Sequence, residues 1–456
     1  MEPINKWCEM VKDNNAVDSE LYTKHNVKRG LRDLDGKGVL AGLTKIGEVK
    51  AYILDDGEQV SIPGKLMYRG YDIEKLVQGA IQEKRNGFEE VIYLLLFGEL
   101  PDANELKNFS NYLVRYRELP ENFVNDMIMT SPSKDIMNLL ARSLLSLYSY
   151  DDNPDDISIQ NILRQSIQII SQMSLIAVYG YQAYLHYFES ESLIIHSPNP
   201  ELSIAKNILY MLRKEHEYTE LEAELLDLAL MLHAEHGGGN NSTFTTHVVS
   251  SSGTDTYSVL AAALGSLKGP RHGGANIKVE MMFDDIKANI DDWENEKLIS
   301  EYLEKILNKD AFDKSGLIYG VGHAVYSISD PRAVIFKKRV EELAKAKGVD
   351  EEFGLYERIE RLAPIVIGKN RKMYKGVSVN VDFYSGFVYR MLGIPKELYT
   401  PLFAIARTVG WCAHRIEEIV NRGKIIRPAY KSVVSPREYL PLKERNSNED
   451  KINNIQ

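Results

Sequence analysis

The sequence predicts an all-α fold that carries one small β-hairpin near its N-terminus. Apolar residues recur every three or four positions along most of the chain, and this spacing places them on one face of a helix. Segments in which apolar and polar residues alternate are scarce, and they cluster before residue 63. With 456 residues and 44% hydrophobic content, the chain can bury a large core in two or three domains.

The first elements are an arm and a hairpin. Residues 1–36 are polar and mixed in charge, which is typical of an arm rather than of a domain core. Val49–Ile53 and Glu58–Ile62 flank Asp55-Asp56-Gly57, and this arrangement predicts two short strands joined by a tight turn.

Helices are predicted over most of the remaining chain. Phe88–Leu100 predicts an apolar helix, since Glu89 and Glu90 suit its first turn and Gly98 suits its end. Helical spacing also recurs in three later groups: Ile204, Ile208, Leu209 and Leu212; Leu221, Leu225, Leu228 and Leu232; and Phe336, Val340 and Leu343. Ser190–Pro200 predicts a loop, and Glu444–Gln456 predicts a polar, mobile tail.

Charge and cysteine content restrict the class of protein. The formal net charge of −10 argues against binding to nucleic acid or to anionic membranes. Cys8 and Cys412 are too few for a disulfide framework, which favours a reducing compartment. The first 15 residues lack the apolar core of a signal peptide, and the longest apolar runs are too short to span a bilayer. These features predict a soluble cytoplasmic protein.

Histidines beside glycines are the most unusual local pattern. Of the 10 histidines, five lie between His233 and His323. Glycines let a backbone approach a ligand closely, and a histidine at the following helix start stays neutral because the helix dipole disfavours its charged form. Three of these histidines adjoin glycines: His236 before Gly237–Gly239, His272 in Gly-Pro-Arg-His-Gly-Gly-Ala-Asn, and His323 in Gly-Val-Gly-His-Ala-Val-Tyr.

A lone carboxylate and three arginines complete the candidate site. Asp382 stands among apolar residues in Asn-Val-Asp-Phe-Tyr-Ser-Gly, where poor solvation raises the pKa of a carboxyl group and makes it a stronger base. Arg332, at a predicted helix start, Arg407 and Arg427 offer guanidinium groups that bind carboxylates through two hydrogen bonds.

Each of these residues also has a structural interpretation. His233 can be a hydrogen-bonded helix residue, and Asp382 can be a helix cap. His272 and His323 can be turn residues, and each arginine can belong to a surface salt bridge.

In their order along the chain, these motifs resemble the citrate synthase family. The resemblance runs from about Gly30 to Pro441 and rests on combined motifs, since none is specific alone. Besides the histidine motifs and the Asn-Val-Asp-x-x-Ser-Gly and Asp-Pro-Arg motifs, the matching segments are Gly64-Lys65-Leu66-Met67-Tyr68-Arg69-Gly70-Tyr71, Phe88-Glu89-Glu90-Val91 and Leu95-Leu96-Phe97-Gly98-Glu99-Leu100-Pro101.

The resemblance implies an activity and a set of site residues. It implies condensation of acetyl-CoA with oxaloacetate and hydrolysis of citryl-CoA, with acetyl-CoA as a substrate and neither a cofactor nor a metal. The implied catalytic triad is His272, His323 and Asp382. The groups implied to hold the oxo-diacid are His236, Arg332, Arg407 and Arg427.

The resemblance also implies an assembly. It indicates a helical homodimer in which Arg427 reaches the active site of the other subunit. Each subunit would have a large domain, 37–274 with 387–456, and a small domain, 275–386, that closes over the substrates.

Two positions depart from the family pattern. Some members carry an arginine at the position of Ser327, where it meets the phosphate of CoA, and residue 271 is often apolar where this chain has Arg271. The contact with CoA phosphate is therefore expected to differ.

Three other functions stay open at the level of sequence. The motifs do not separate citrate synthase from 2-methylcitrate synthase, which uses propionyl-CoA. A metallohydrolase could use His233, Glu235, His236 and His272, although their spacing matches neither HExxH nor HxxEH. A non-enzymatic helical scaffold would leave Asp382 and the Gly-His-Gly-Gly motif unexplained.

Overall fold

The structure, a computed structural model, confirms the all-α fold and its small sheet. It describes residues 3–33, 38–55, 58–323, 325–370 and 376–445. Within these ranges the α-helices are α1 (Pro3–Asn15), α2 (Ser19–Lys24), α3 (Ile73–Gln82), α4 (Phe88–Phe97), α5 (Ala103–Arg115), α6 (Ile136–Leu147), α7 (Ile159–Phe188), α8 (Ile204–Leu212), α9 (Glu220–His233), α10 (Asn241–Ser250), α11 (Thr256–Lys268), α12 (Ala275–Asn289), α13 (Glu296–Leu307), α14 (Pro331–Lys347), α15 (Asp350–Asn370), α16 (Asp382–Met391) and α17 (Tyr399–Val420).

The predicted hairpin is present, and its strands are longer than the sequence suggested. Strand β1 (Gly47–Asp55) pairs antiparallel with β2 (Glu58–Tyr68), and the two-residue strand β3 (Tyr71–Asp72) pairs with the end of β2. The extension is stabilised because Leu66 and Tyr68 are fully buried in the core. Asp56 and Gly57 of the predicted turn lie outside the described residues.

Helix α4 ends earlier than predicted. It stops at Phe97, three residues before the predicted Leu100, because Gly98 adopts a left-handed conformation with φ of 91°. The other predicted helical spacings are confirmed by α8, α9 and α14. Residues 190–199 have no regular secondary structure, as predicted, and most of the predicted tail, residues 446–456, lies outside the described part of the chain.

Helix α17 lies at the centre of the molecule and positions the site. All its side chains from Tyr399 to Arg415 are buried, and it packs against α7, α9 and α10. A Cβ atom on Gly410 would lie 2.5 Å from the carbonyl oxygen of Ala234, so only glycine allows α17 to approach the segment that follows α9. The backbone N–H of Gly410 donates to that carbonyl at 3.2 Å.

The helix boundaries agree only in part with the predicted arm and domain boundaries. Helices α1 and α2 fall within residues 1–36, and α2 has no buried residue. The predicted boundary at 274/275 coincides with the start of α12, whereas the one at 386/387 lies inside α16. The division into a large and a small domain stays a prediction. None of the helices in the described ranges combines the length and apolar character needed to cross a bilayer.

Candidate active site

Six of the seven predicted site residues converge where several elements end. His236 follows α9, Arg332 and Asp382 lie in the first turns of α14 and α16, and Arg407 lies on α17. His272 and His323 lie in irregular segments before α12 and α14. The imidazole rings of His236 and His323 are 5.2 Å apart. Burial is the main cause of the depressed pKa of His236. Nearby charges add to it, namely those of Arg332, His323, Arg407 and His272, so all five residues share one electrostatic environment.

The backbone fixes the tautomer of His323. Its Nδ1 accepts hydrogen bonds from the N–H groups of Val325 at 3.0 Å and Tyr326 at 3.1 Å. The neutral ring therefore carries its proton on Nε2 and can donate it. Burial, reinforced by the charge of Arg332, lowers the pKa of His323 to about 4. The helix dipole was predicted to keep this ring neutral, but His323 lies eight residues before α14, and burial is the larger cause.

His272 is held by a serine that sequence analysis missed. Its Nε2 lies 3.1 Å from the Oγ of Ser242, which also accepts the indole N–H of Trp411 at 3.1 Å. The hydroxyl proton of Ser242 is thus available to His272 or to Oδ1 of Asn240, 2.9 Å away. Donation to His272 leaves the neutral ring with its proton on Nδ1. Burial, with the charge of Arg407, lowers the pKa of His272 to about 4.

Asp382 has the environment of a base rather than of a helix cap. It is the first residue of α16, but no side chain caps that helix, and its Oδ1 is buried without a hydrogen-bond partner in the described part of the chain. Burial raises the pKa of this carboxyl to about 6, against the opposing charge of Arg332. The predicted rise of the pKa is confirmed, and its cause is the predicted one.

Arg332 is fixed by a buried ion pair. Its Nε and Nη2 donate to the two carboxylate oxygens of Asp330 at 3.0 and 2.7 Å. Asp330 also caps α14 and accepts the N–H of Val381, so it joins the starts of α14 and α16. The interpretation of Arg332 as part of a surface salt bridge is wrong, since its side chain is 4% exposed.

Arg407 presents an unpaired guanidinium edge. Its side chain is fully buried, and its Nε donates to the carbonyl oxygen of His233 at 2.7 Å. Nη1 and Nη2 have no hydrogen-bond partner among the described residues. Burial lowers the pKa of Arg407 to about 10, although Glu235 opposes this effect. Two parallel N–H groups without partners match the geometry of one carboxylate.

Other buried polar groups surround the arginines. Nε2 of His236 and both ring nitrogens of His233 lack hydrogen-bond partners in the described chain, so the interpretation of His233 as a hydrogen-bonded helix residue is wrong. The hydroxyl of Tyr326 also has no partner among the residues that the structure describes, and its ring lies 5.7 Å from that of His236 and 4.7 Å from that of His323. Tyr326 closes the Gly-x-Gly-His-Ala-Val-Tyr motif, and that position is the signal that could have identified it.

Arg427 lies apart from this buried group. It is exposed, in a segment without regular secondary structure that follows α17. The neighbouring Ile426 N–H donates to Oγ of Ser251 at 3.1 Å. An extended segment was expected here because Pro428 favours an extended preceding residue, and this conformation stays a prediction.

The alternative metal site does not form. Among the described residues, His233, Glu235, His236 and His272 do not bring three ligand atoms close enough to share one ion. The metallohydrolase interpretation based on these residues is therefore wrong.

Comparison with known proteins identifies the family. A family model described as citrate synthase, C-terminal domain, matches residues 33–429, which is most of the chain. The chain belongs to the citrate synthase family. It is 36% identical over 425 residues to a citrate synthase of Haloferax volcanii, covering 92% of this chain and 99% of that one. It is 30% identical over 427 residues to 2-methylcitrate synthase 1 of Corynebacterium glutamicum, covering 92% and 98% of the two chains.

A solved citrate synthase shares the fold. The ternary complex of citrate synthase from Thermoplasma acidophilum with carboxymethyl coenzyme A and oxaloacetate superposes with a TM-score of 0.75. It is 28% identical and covers 92% of this chain and 99% of that chain. Membership of the citrate synthase family makes this protein an acyltransferase, and the non-enzymatic scaffold interpretation is wrong.

Proposed function

We propose that this protein condenses acetyl-CoA with oxaloacetate and hydrolyses the resulting citryl-CoA. The observation that carries the proposal is the buried Nη edge of Arg407, which has no partner among the described residues and shares the electrostatic environment of His236 and Arg332. Buried donors without partners are costly, so such an edge is retained for a carboxylate ligand. A neutral histidine pair and an isolated carboxylate beside it supply the groups that carbon–carbon bond formation needs.

The arginines and His236 would hold the two carboxylates of the oxo-diacid. Arg407 would bind one carboxylate through Nη1 and Nη2, and Arg332, kept in place by Asp330, would face the ligand with its remaining N–H groups. Hydrogen bonds to charged groups contribute roughly 1.5–3 kcal/mol each, so several of them select a diacid over a monoacid. They also hold the keto carbon at a fixed place beside the nucleophile.

Asp382 and His272 would generate the nucleophile, which is the enolate of acetyl-CoA. Asp382 takes a proton from the methyl carbon of acetyl-CoA, and the electrons of that C–H bond move into the thioester carbonyl. His272 donates a hydrogen bond to the developing enolate oxygen, which a neutral ring with its proton on Nδ1 can do. Because this donor acts on charge that appears during the reaction, it lowers the barrier rather than strengthening ground-state binding.

His323 would activate the electrophile. Its Nε2–H donates to the keto oxygen of oxaloacetate, so the keto carbon becomes more electrophilic and the enolate carbon bonds to it. The alkoxide that forms takes the Nε2 proton of His323 to give citryl-CoA, and His323 regains a proton from solvent while Asp382 releases the methyl proton to solvent. Water then adds its hydroxyl to the thioester carbon and its proton to the leaving sulfur, which releases citrate and CoA. The proposed reaction uses neither a metal nor a cofactor.

A thiol-release assay tests this function. Purified protein is expected to release CoA thiol from acetyl-CoA only when oxaloacetate is present, because the enolate needs its electrophile. Pyruvate, which lacks the second carboxylate, serves as the control substrate. If acetyl-CoA is cleaved equally without oxaloacetate, the protein is a thioesterase and the proposal is wrong.

Propionyl-CoA is the second candidate substrate. Two relatives, at 30% and 31% identity, are 2-methylcitrate synthases, so the family offers both activities at similar sequence distance. One extra methylene in an apolar pocket changes the free energy of transition-state binding by only about 1–3 kcal/mol. The ratio of the two kcat/KM values therefore decides which of the two activities the protein has. The same thiol-release assay with propionyl-CoA measures it.

His272→Ala and His323→Ala are each expected to lower kcat by about 10²–10³-fold, which is typical for the loss of one donor to a developing oxyanion. The KM for oxaloacetate should change much less, since each donor acts mainly on transition-state charge. Steady-state kinetics on both substrates check this. His186→Ala, which removes an exposed ring on α7, is the matched control. A rise in the KM for acetyl-CoA with unchanged kcat would show that His272 only binds the thioester.

Removal of the 3′-phosphate of CoA is expected to raise KM by less than about fivefold, the effect of losing an exposed ion pair. Ser327, which occupies the position of the phosphate-binding arginine, is buried and donates to Oγ of Ser61 at 3.3 Å. Kinetics with acetyl-CoA and its dephospho form measure the difference. A much larger loss that disappears in Arg271→Ala would show that the exposed Arg271 has taken over this contact.

A further inference from the structure

A second cluster of histidines and carboxylates lies beside the proposed catalytic groups, between α10 and α17. His247 on α10 and His414 on α17 face each other, with Nε2 of His247 lying 3.1 Å from Nδ1 of His414. Oε2 of Glu417 lies 3.8 Å from the same Nδ1. These three ligand atoms all lie within 4.8 Å of one another. The proposed reaction uses none of them.

In each ring, the nitrogen that faces away from the other histidine, here called the outer nitrogen, is hydrogen-bonded to a carboxylate. Nδ1 of His247 lies 2.8 Å from Oε2 of Glu418, and Nε2 of His414 lies 3.1 Å from Oε1 of the fully buried Glu235. A carboxylate only accepts hydrogen bonds, so each outer nitrogen carries a proton.

The inner nitrogens are then two lone pairs that point at each other. In neutral rings whose outer nitrogens are protonated, Nε2 of His247 and Nδ1 of His414 are both acceptors. Two acceptors 3.1 Å apart repel unless a cation lies between them. Oε2 of Glu417 adds a third acceptor, since it is buried and accepts no hydrogen bond within the described chain, while the backbone N–H of Lys45 bonds only to Oε1.

The local charge also favours a cation. Glu235, Glu417 and Glu418 surround the two rings, and no lysine or arginine makes an ion pair with them in the part of the chain that the structure describes. Arg69 and Arg407 act on this group only at longer range, since they donate to the carbonyl oxygens of Leu95 and His233.

We propose that His247 Nε2, His414 Nδ1 and Glu417 Oε2 bind a transition-metal ion of the Zn²⁺ class. Two imidazoles and one carboxylate form a donor set that Zn²⁺ accepts in tetrahedral geometry, whereas Mg²⁺ and Ca²⁺ prefer oxygen ligands alone. Metal-binding histidines characteristically donate their other ring N–H to a carboxylate, and both rings here do so. A water molecule would complete the coordination.

The ion would act on structure rather than on the reacting atoms. It would join α10 to α17 directly, and His414 would transmit its position to Glu235, which immediately precedes His236. Glu235 also accepts the N–H of Gly237, so it braces the turn that carries His236. Metal binding is therefore expected to raise the melting temperature and to order the oxaloacetate side of the site.

Metal binding to the full-length protein tests the proposal directly. After chelator treatment and dialysis, the protein is titrated with Zn²⁺ against a chromophoric chelator, and with Co²⁺, whose visible absorption reports tetrahedral coordination. One ion per chain is expected. His247→Ala should weaken binding by at least about 100-fold, and Glu418→Gln, which only loosens the orientation of His247, by about 10–100-fold. Glu417→Gln keeps the volume of the side chain and is the variant least prone to misfold.

His186→Ala is the matched control, since it removes an exposed ring far along the sequence on α7 and should leave metal affinity unchanged. If the wild-type protein binds Zn²⁺ no more tightly than a correctly folded Glu417→Gln variant, or if the Co²⁺ spectrum is that of the hydrated ion, the two rings share a proton and the metal site does not exist. Neither result bears on thiol release from acetyl-CoA, so failure of this proposal and failure of the proposed function are separable.

Discussion

Asp382→Asn is expected to lower kcat by about 10²–10⁴-fold, the usual contribution of a positioned general base. The amide keeps the shape of the carboxyl group but cannot accept the methyl proton of acetyl-CoA. Binding of oxaloacetate should persist, because Arg332 and Arg407 are unchanged. The variant should even fold with less electrostatic cost, since burial disfavours the ionised carboxyl and its Oδ1 is unpaired in the described chain.

Steady-state thiol release and a thermal shift with oxaloacetate measure the two parts of this prediction. Asp152→Asn, which alters an exposed carboxylate, is the control. Turnover within about tenfold of wild type would rule out Asp382 as the base, because a positioned general base usually contributes at least about 100-fold.

The pH profile follows from the raised pKa of Asp382. Because the base must be ionised, kcat/KM of the wild-type protein should fall as pH drops through about 6, the pKa to which burial raises this group. Stability should respond in the opposite sense: the neutral form is favoured in the folded state, so its stabilising contribution is complete below pH 3.8 and is lost as pH rises through about 6. Asp382→Asn should remove this contribution.

Mixed dimers are expected to recover activity from two inactive variants, if Arg427 acts in the partner's site. Arg427→Ala alone should cost about 2–5 kcal/mol, or roughly 30- to 4000-fold in kcat/KM, because it leaves a buried carboxylate of the ligand unpaired. A dimer of one Asp382→Asn subunit and one Arg427→Ala subunit contains one site with both defects and one site with neither. One of its two sites should therefore be fully active.

Co-expression with two different affinity tags isolates these mixed dimers for the thiol-release assay. The exposed position of Arg427, in a segment without regular secondary structure after the last long helix, is what makes an action in trans physically reasonable. Inactive mixed dimers, obtained from parents that fold and dimerise normally, would place Arg427 in its own subunit's site or outside any site.

Local motifs were enough to predict most of the buried site. Glycine-flanked His272 and His323, and Asp382 among apolar residues, were identified because their surroundings in sequence are also their surroundings in space. The reasons for their properties were less accessible: His323 is neutral because it is buried beside Arg332, not because of a helix dipole, and burial depends on the whole fold. The family resemblance supplied the role proposed for Arg427, which no local pattern could give.

Contacts between distant segments were beyond prediction. The bond between Trp411 and Ser242 joins residues 169 positions apart, and the facing rings of His247 and His414 are 167 apart. Each residue has an ordinary helical neighbourhood in sequence, so nothing local signals a partner. The early end of α4 is different, since a local residue, the left-handed Gly98, stops the helix although the apolar pattern continues to Leu100.

The unpaired polar atoms around Arg407 limit how far the thermal stability of this protein can be raised without loss of activity. Both ring nitrogens of His233, Nε2 of His236 and the Nη atoms of Arg407 are buried without partners in the described chain, and each such group costs about 1–3 kcal/mol. Replacement of Arg407 by a long apolar residue would relieve part of that cost and would also abolish recognition of a diacid. Selection for thermostability alone would therefore favour substitutions in this site first. A screen for more stable variants must include turnover as a second criterion.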